Sequence, residues 1–450
     1  MDKPGQDPKD LEKIVYEQPD EERPASPNPT QATLEYESPA GREARVHDPY
    51  AALRFRDYQL YSIGWILATA GQQMQATALQ WEIFDRTGSY QMLGWLGGVQ
   101  AIPLLALALP AGYLADMFDR RFVATITSIL AAICSIALAF LSYRTGSIGP
   151  MFAILVLSST ALVVGRPARS SMLPQLVPLS VFSNAVTWNS SFFQVATMLG
   201  PALAGWIIHY HSTRMVYVVD AGCGIAFAVL VLLLRPVHHD TNGIDRSFVA
   251  GVRFVWRTKI ILATITLDLF AVLLGGAVYL LPVFAKDILH VGSVGFGWLR
   301  AADAIGAFSM AMLIAHLPPM KKAGRAMLLA VIGFGAATVV FGLSRNYWLS
   351  LVMLVLIGAF DNISVVVRHT LVQVLTPDAM RGRVSAVNNI FIGASNELGG
   401  MESGLTAAWF GPITSVVGGG VGTILVVLAI ALLFPQVRRF GSLADAKPEE

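Results

Sequence analysis

The stretch QMLGWLGGVQAIPLLALALPAGYLADMFDRR, Gln91 to Arg121, decides the fold. Its first part, Gln91 to Ala115, carries no charged residue and is long enough to cross a bilayer, since ~30 Å of hydrocarbon needs about 20 residues of helix. A short charged break follows. The same alternation of an apolar stretch and a short basic or glycine-proline break recurs about a dozen times between Tyr58 and Pro435. The sequence therefore predicts a polytopic membrane protein.

The composition argues against most other classes of protein. Of the 450 residues, 54% are apolar and only 14% are charged, which is too few charges for an ordinary water-exposed surface. The motifs G-x-x-x-x-G-K-[ST], H-E-x-x-H and G-x-S-x-G do not occur, so ATP hydrolysis and familiar hydrolase chemistry lack their parts. Cys134 and Cys223 lie in separate apolar stretches and should pack as small hydrophobic side chains. We expect no enzyme, cofactor, metal site or nucleic-acid partner.

The positions of Lys and Arg predict the orientation in the membrane. If the first fifty residues are cytoplasmic and the spans alternate, most basic residues fall on the inner side, as the positive-inside rule requires. The outer side then holds only Arg86, Arg144, Arg214, Lys286, Arg300 and Arg345. We therefore expect both termini to be cytoplasmic.

The simplest count of spans gives an all-α integral membrane fold with twelve transmembrane helices in two pseudo-symmetric six-helix bundles. The tail at 1–50 is rich in Pro, Glu, Asp, Ser and Thr and cannot bury enough apolar surface to fold alone. Between the bundles, RSFVAGVRFVWR alternates apolar and basic residues like a helix lying on the inner membrane face. The predicted boundaries are 1–50 for a disordered cytoplasmic tail, 51–235 and 259–436 for the bundles, 236–258 for a cytoplasmic linker and 437–450 for a second tail.

The two halves repeat each other weakly at an offset near 200 residues. LPQLVP at Leu173 to Pro178 has a counterpart in LVQVLTP at Leu371 to Pro377. Parallel internal repeats of this kind are typical of transporters.

Acidic residues inside the predicted spans are unevenly distributed. Charged groups in hydrocarbon are costly and usually mark functional sites. The second half carries the candidates for proton coupling, which in order of preference begin with Asp361, Glu397 and Asp268 and also include Asp303 and Glu402. The alternative for each acid is a structural pairing with a nearby arginine or backbone group. In the first half we expect no comparable acid.

Neutral hydrogen-bonding side chains are expected to line a substrate cavity instead. The candidates are Gln72, Gln73, Gln80, Trp188, Asn189, Gln194, Asn389 and Asn396. In the eleventh span Asn389, Asn396 and Ser403 recur every seven residues and so share one face. Glu397 and Glu402 are about 140° apart around that helix, so at most one of them can face the cavity.

The break after the second span carries the first family resemblance. In GYLADMFDRR the glycine ends the helix, and Asp116 can pair with Arg120 or Arg121. Gly112, Asp116, Arg120 and Arg121 match the signature G-x-x-x-D-x-x-G-R-R/K of the major facilitator superfamily, whereas Asp119 stands where that pattern has glycine. We expect this loop to gate the inner surface through charge contacts. PDAMRGRV at 377–384 resembles the loop between helices ten and eleven in the enterobactin-exporter branch of bacterial efflux carriers.

A second resemblance lies in the fifth span. LGPALAG, Leu199 to Gly205, is similar to the antiporter motif of proton-driven exporters, and Gly200, Pro201 and Gly205 match it. Ala196 and Ala204 occupy positions that are usually glycine. An ordinary kinked helix would explain the same residues, since proline removes a backbone hydrogen bond and small residues permit close packing.

The resemblance implies a carrier that opens alternately to either side of the bacterial inner membrane. Its first, fourth, seventh and tenth helices would line a central cavity. The expected function is proton-coupled efflux of a small amphiphilic molecule, such as a siderophore or a drug-like compound. Uptake, lysophospholipid flipping, or a non-transporting receptor on the same fold are the alternatives. The expected partners are the substrate, protons and the lipid bilayer, and we expect a monomer.

Overall fold

The structure, a computed structural model, describes residues 48–144, 147–235, 248–318 and 320–441. Within them, helices occupy the predicted spans. They are α1 (Arg56–Thr87), α2 (Tyr90–Met117), α3 (Arg120–Arg144), α4 (Gly149–Met172), α5 (Phe182–Tyr210), α6 (Thr213–Leu232), α7 (Lys259–Ile288), α8 (Gly292–His316), α9 (Ala323–Leu343), α10 (Tyr347–Leu375), α11 (Asp378–Phe410) and α12 (Pro412–Leu433).

Two helices are more polar than the rest. Ten candidate spans in the described residues are long and apolar enough to cross a membrane, and α1 and α11 do not provide one. These two helices are long, at 32 and 33 residues, but they bury polar side chains such as Gln75, Gln80, Glu82 and Asn388. Each packs between other helices, so its polar groups meet protein rather than lipid. The predicted all-α membrane fold is confirmed.

The helix contacts of the first half recur in the second. Helix α1 packs on α5 and α6, α3 packs on α4 and α6, and α2 packs on α4. In the second half α7 packs on α11 and α12, α9 on α10 and α12, and α8 on α10, which is the same pattern six helices later. Between the halves, α2 packs on α11 and α5 packs on α8. The repeat turns the first of these contacts into the second, because α2 corresponds to α8 and α5 corresponds to α11. This pattern is the one that internal repeats predict.

Helix α7 is interrupted in mid-span. Its two parts are separated by Gly275 and Gly276. A Cβ atom on Gly276 would lie 2.7 Å from the carbonyl oxygen of Gly399, so the backbone of α7 touches that of α11 here. The helix then ends in a π turn, Phe284–Ile288. Interrupted helices occur in membrane proteins where the backbone is buried in protein or lines a cavity.

The apolar cores show that the halves meet at one end of the molecule. Where α1 ends and α2 begins, a continuous core joins buried residues of both halves, including Phe84, Leu93 and Phe296. At the opposite end the halves have separate cores, around Tyr58 in the first and Ile261 in the second. We call these the closed end and the open end.

Two of the helices that join the halves expose apolar side chains on their contact side towards the open end. Val186 of α5 and Met312 of α8 are exposed, although the same helices are in close contact nearer the closed end. The contact between the halves therefore stops part of the way along these helices.

Only part of the predicted linker is described. Its described portion is a helix, Phe248–Arg257, which packs on α11. A Cβ atom on Gly251 of this helix would lie 3.0 Å from the Cβ of Arg383. The remainder of the linker, nearly all of the first predicted tail and nine of the fourteen residues of the second fall outside the described residues, at 1–47, 236–247 and 442–450.

Candidate functional site

Two pairs of glycines bring the halves together near the closed end. A Cβ atom on Gly94 of α2 would lie 3.0 Å from the Cα of Gly404 on α11. A Cβ atom on Gly205 of α5 would likewise lie 3.0 Å from the Cα of Gly297 on α8. Small residues allow helix backbones in a membrane to approach this closely. Gly205, predicted as part of the antiporter-like motif, thus lies in the contact between the halves.

The rest of that motif also lies at helix contacts. A Cβ atom on Gly200 would be 2.7 Å from the Cβ of Gln73, which places α5 directly against α1. Pro201 lies inside α5, and its carbonyl oxygen faces Gly297 of α8, 2.6 Å from the position of a Cβ there. The motif therefore forms the surface through which α5 touches both α1 and α8.

Side-chain contacts join α1 to α7 and α8 at the closed end, and we call these contacts the closure. The Arg300 guanidinium of α8 donates a hydrogen bond to Oε1 of Gln80 on α1 at 2.7 Å. Lys286 of α7 forms an exposed ion pair with Asp85 of α1 at 2.6 Å. The rings of Trp81 and Phe296 stack with centroids 5.6 Å apart. Gln80, predicted as a cavity residue, lies in this closure.

Arg300 is the centre of a polar cluster that includes two of the predicted acids. Asp303, one turn along α8, and Glu397 of α11 both interact electrostatically with its guanidinium. The Tyr279 hydroxyl of α7 donates a hydrogen bond to Oε2 of Glu397 at 2.6 Å. The cluster therefore connects two acids to the residue that fastens α8 to α1.

A second cluster surrounds Arg368 of α10. Arg368 forms an ion pair with Asp268 of α7, and both side chains are buried. Asp361 lies seven residues before Arg368 on the same face of α10 and interacts electrostatically with Asp268, Asp303 and Arg368. Within the described part of the chain, no hydrogen bond or ion pair reaches the Asp361 carboxyl. Two predicted acids, Asp268 and Asp361, thus share this arginine.

The two glutamates of α11 have different neighbours. Glu397 meets Tyr279, whereas Glu402 accepts a hydrogen bond from the Ser403 hydroxyl at 3.3 Å. Near Glu402, the hydroxyls of Thr406 and Ser415 are 2.7 Å apart, and Ser415 belongs to α12. Their angular separation predicts this difference. Glu402 therefore lies towards α12, away from both arginine clusters.

The asparagines of α11 share the face that meets α2 and α7. Asn389 and Asn396 lie within about 60° of Gly393 around the helix. A Cβ atom on Gly393 would be 2.8 Å from the Leu104 side chain of α2. Both asparagines are exposed, and Asn396 donates a hydrogen bond to the backbone of its own helix at 2.8 Å. They have amide groups available between the halves.

The predicted cavity residues of α5 lie nearer its open-end half. Trp188 packs against Phe192, with ring centroids 5.3 Å apart, and against Tyr50 at 5.7 Å. The Oδ1 atom of Asn189 is buried and has no hydrogen-bond partner in the described residues. Gln194 is half-buried.

The α1 glutamines face three directions. Gln73 faces α5, Gln80 reaches Arg300, and Gln72 lines a pocket inside the first half. That pocket lies between α1, α3, α4 and α6, and its cavity volume is about 20 Å³, room for about one water molecule. Its polar lining consists of Gln72, Gln75, Ser128, Ser158, Arg169 and Asp220.

The expectation that the first half holds no acid inside its spans is wrong. Asp220 of α6 and Glu82 of α1 are both buried. Glu82 pairs with Arg86 and accepts a hydrogen bond from the Tyr217 hydroxyl at 2.7 Å. The signal was present, because Asp220 lies in VVDAGC within an apolar stretch just as Asp268 does. Arg300, counted on the outer side by its charge, also proves to be a half-buried residue inside α8.

The predicted gating loop makes its described contacts within the first half. Arg120 donates to the carbonyl oxygen of Ser171 at the end of α4, at 3.1 Å, and Arg121 donates to that of Leu232 at the end of α6, at 2.8 Å. Basic side chains suit helix C-termini, where the carbonyl groups lack helical partners. Gly112 lies inside α2, with nothing within 4 Å of a Cβ placed there. The Asp116 side chain lies outside the described part.

The sequence is similar to known transporters over most of its length. The sequence profile of the Major Facilitator Superfamily matches residues 61–395. The multidrug efflux pump Tap of Mycobacterium tuberculosis is 25% identical over 361 residues, which cover 75% of this chain and 84% of that pump. The enterobactin exporter EntS of Citrobacter koseri is 25% identical over 410 residues, covering 88% and 94% respectively.

Solved transporter structures share the fold. A bacterial homolog of the human lysosomal transporter Spinster, in an inward-facing and occupied conformation, has a TM-score of 0.69 and 14% identity, covering 87% of this chain and 99% of its own. A D-xylose-proton symporter has a TM-score of 0.66 and 14% identity, covering 85% and 98%. At such identities the likeness concerns the fold alone.

Proposed function

Because the chain belongs to the Major Facilitator Superfamily and is a multi-pass membrane transporter, we propose that it exports a small amphiphilic molecule in exchange for protons. The family resemblance inferred from the loop after α2, and the resemblance to bacterial efflux carriers inferred from PDAMRGRV at 377–384, are thereby confirmed. The two relatives named above are an efflux pump and an exporter, which supports efflux over uptake. The observation that carries proton coupling is the surplus of carboxyls over arginines beside the contacts that close one end.

The charge count suggests where protons bind. The two clusters together contain Arg300 and Arg368, with the four carboxyls of Asp268, Asp303, Asp361 and Glu397. Arg166 of α4 also interacts electrostatically with Glu397, and His369 of α10 with Asp268, so the carboxyls outnumber the arginines by four to three. Surplus negative charge is costly in poorly hydrated protein, and proton binding removes it. Asp361 is our first candidate because no direct partner holds it, followed by Glu397, which is linked to the closure through Arg300.

The distribution of basic residues suggests which side is open. Lys321, Lys322, Arg381 and Arg438 lie on the open-end side, and the positive-inside rule places that side in the cytoplasm. The present conformation is then inward-open, with both termini cytoplasmic, in the inner membrane of a bacterium. Export requires the opposite state, in which the contacts of α1 with α7 and α8 separate. Protonation of Glu397 or Asp303 changes the charge around Arg300 and so can bias that step.

The substrate class follows from the lining of the space between the halves. Asn389 and Asn396 offer amides on the face of Gly393, which packs against the apolar side chain of Leu104. A cavity that combines apolar surface with a few hydrogen-bonding groups suits an amphiphilic siderophore or drug-like molecule.

Transport in liposomes tests this proposal. The purified protein is reconstituted, a pH gradient is imposed, and the movement of ethidium and of enterobactin is followed. We expect gradient-dependent movement of at least one probe, and we expect Asp361→Asn to bind that probe while losing the dependence. Glu402→Gln is the matched control, because Glu402 lies away from both arginine clusters. Probe movement that ignores the gradient in the parent protein would overturn proton coupling, and a gradient-dependent Asp361→Asn would overturn the assignment of Asp361.

A further inference from the structure

The pocket inside the first half is a separate polar site. Helices α1, α3, α4 and α6 enclose it, and none of its polar residues takes part in the closure. It contains one acid, Asp220, which is 8% exposed, and one arginine, Arg169, which is 5% exposed. Such groups are rare inside membrane spans and mark function by default.

A short chain of hydrogen bonds ends on Asp220. The Gln75 side-chain amide donates to the Ser135 hydroxyl oxygen at 2.7 Å, and the Ser135 hydroxyl donates to Oδ2 of Asp220 at 2.5 Å. The Ser135 hydroxyl has a second acceptor, the carbonyl oxygen of Ala131, at 3.1 Å. Because a hydroxyl carries a single hydrogen, it can satisfy only one of these acceptors fully at a time.

This geometry satisfies the site both with and without a proton on Asp220. When Asp220 is charged, Ser135 donates to it. When Asp220 binds a proton, its new O–H donates to the Ser135 oxygen, and the Ser135 hydrogen turns to Ala131, while Gln75 goes on donating. The serine oxygen can accept both bonds because it has two lone pairs. Both states keep the Gln75 amide donor and the Ser135 hydroxyl hydrogen paired, and an unpaired buried donor would cost about 1–3 kcal/mol.

Arg169 gives the pocket a fixed positive charge. Its guanidinium lies over the Phe227 ring at 5.4 Å, and its Nε atom has no hydrogen-bond partner in the part of the chain described. Around Asp220, α3 contributes Ser135, α1 contributes Gln75 and the backbone at Gly71, and α6 contributes the thiol of Cys223. Arg169, on the pocket wall from α4, is the one charged group besides Asp220 in the described lining. The electrostatic neighbours of Arg169 are Tyr61 and Arg166, so the hydrogen bonds of Asp220, rather than this arginine, govern its charge.

We propose that Asp220 is a reversible proton-binding site of the first half, with Ser135 as the partner that switches its hydrogen bond. The role of Asp220 in coupling rests on the proton-driven export proposed above, whereas its ability to bind a proton does not depend on that proposal. The link to transport is α1, since Gln75, which bonds Ser135, lies on the same helix as Gln73 at the α5 contact and Gln80 at the closure.

Infrared difference spectroscopy tests proton binding directly. The purified full-length protein is titrated from about pH 5 to about pH 9, and the carbonyl stretch of buried protonated carboxyls is followed. We expect one titrating band to be lost in Asp220→Asn and kept in Asp361→Asn. Ser135→Ala should move its midpoint by about one pH unit. Ser158→Ala, which removes a hydroxyl from the same pocket, should leave the midpoint in place.

Two results would overturn the proposal. One is a spectrum in which no titrating band depends on Asp220, although circular dichroism shows that Asp220→Asn is folded. The other is a band that Na⁺ displaces at constant pH, because the pocket would then be a cation site. The infrared titration measures proton binding without transport. If ethidium and enterobactin do not move with the pH gradient, the titration still tests proton binding by Asp220 on its own.

Discussion

The two halves place an arginine at equivalent positions and use it differently. Arg169 and Arg368 are 199 residues apart, as are Pro178 and Pro377 in the repeated segments after α4 and α10. Arg368 forms a buried ion pair with Asp268, whereas Arg169 lies over Phe227 and faces a pocket. The scaffold thus fixes where a cation sits, while the neighbouring helices decide whether it is neutralised.

Other repeat-related positions show what was kept. The glycine contacts Gly94–Gly404 and Gly205–Gly297 are exchanged by the repeat, and both have the same close approach. Asp85 and Lys286 are 201 residues apart, as are the last residues of α1 and α7, yet they carry opposite charges and pair with each other. Backbone contacts between the halves are therefore symmetric, and the charges are not.

The largest expected effect concerns the two arginines. Arg368→Gln leaves the Asp268 carboxylate buried without its partner, and breaking a buried pair in this way costs about 3–5 kcal/mol. Arg169→Gln should cost only about 1 kcal/mol, since it loses a ring contact and no ion pair. Thermal unfolding of both variants in the same detergent measures the difference.

A double variant sharpens this test. Asp268→Asn combined with Arg368→Gln should recover much of the lost stability, because no unpaired charge remains. Equal destabilisation by Arg169→Gln and Arg368→Gln would show that the two positions are alike in energy as well as in place.

The second prediction concerns the symmetric glycine contacts. Leucine at Gly205 or at Gly404 cannot fit between backbones in contact and should push the halves apart at the closed end. An overpacking cost of about 1–3 kcal/mol corresponds to a shift of about 5- to 150-fold towards separation of that end. Distances between spin labels on the α1–α2 and α7–α8 turns would report it, in a background that lacks Cys134 and Cys223.

Symmetry makes this prediction strict. Gly205→Leu and Gly404→Leu should act alike, since the repeat exchanges their contacts. Gly418→Leu on α12 is the control, because nothing lies within 4 Å of a Cβ at that position. Label distances in which only one of the two variants separates the closed end would show that the halves are not equivalent there.

Most of the fold could be predicted from the sequence. A long apolar stretch predicts a transmembrane helix because the helix must cross the hydrocarbon layer of the membrane. Length and composition are enough for ten of the spans, whereas the two polar helices, α1 and α11, follow from the regular alternation of spans and breaks. The repeat and the signature loop also identified the family, and the residues matched by its profile include both.

The site was only partly predictable, because side-chain pairing depends on which helices are neighbours. Asp268 could be named as a buried acid, but its pairing with Arg368 requires the packing of α7 against α10. The role of Gln80 depends likewise on Arg300 from α8. Asp220 is predictable from the sequence in the same way as Asp268, because it too lies inside a long apolar stretch.

The smallest expected effect concerns Asp85 and Lys286, which occupy equivalent positions in the two halves but carry opposite charges. Asp85 and Lys286 are largely exposed, with relative side-chain exposures of 53% and 39%, so their pairing should contribute no more than about 1 kcal/mol and should weaken with salt. Asp85→Asn should therefore shift the closed end towards separation by about 5-fold or less, measured with the same spin labels.

Exchanging the charges, with Asp85→Lys and Lys286→Asp together, should restore the parent distances, because equivalent positions offer each charge the same surroundings. Asp85→Lys alone places two ammonium groups opposite each other and should separate the end more than Asp85→Asn does. The exchanged pair could instead separate the closed end as much as Asp85→Lys alone does. That result would show that the surroundings of positions 85 and 286 are not equivalent, and that each position requires the charge it carries.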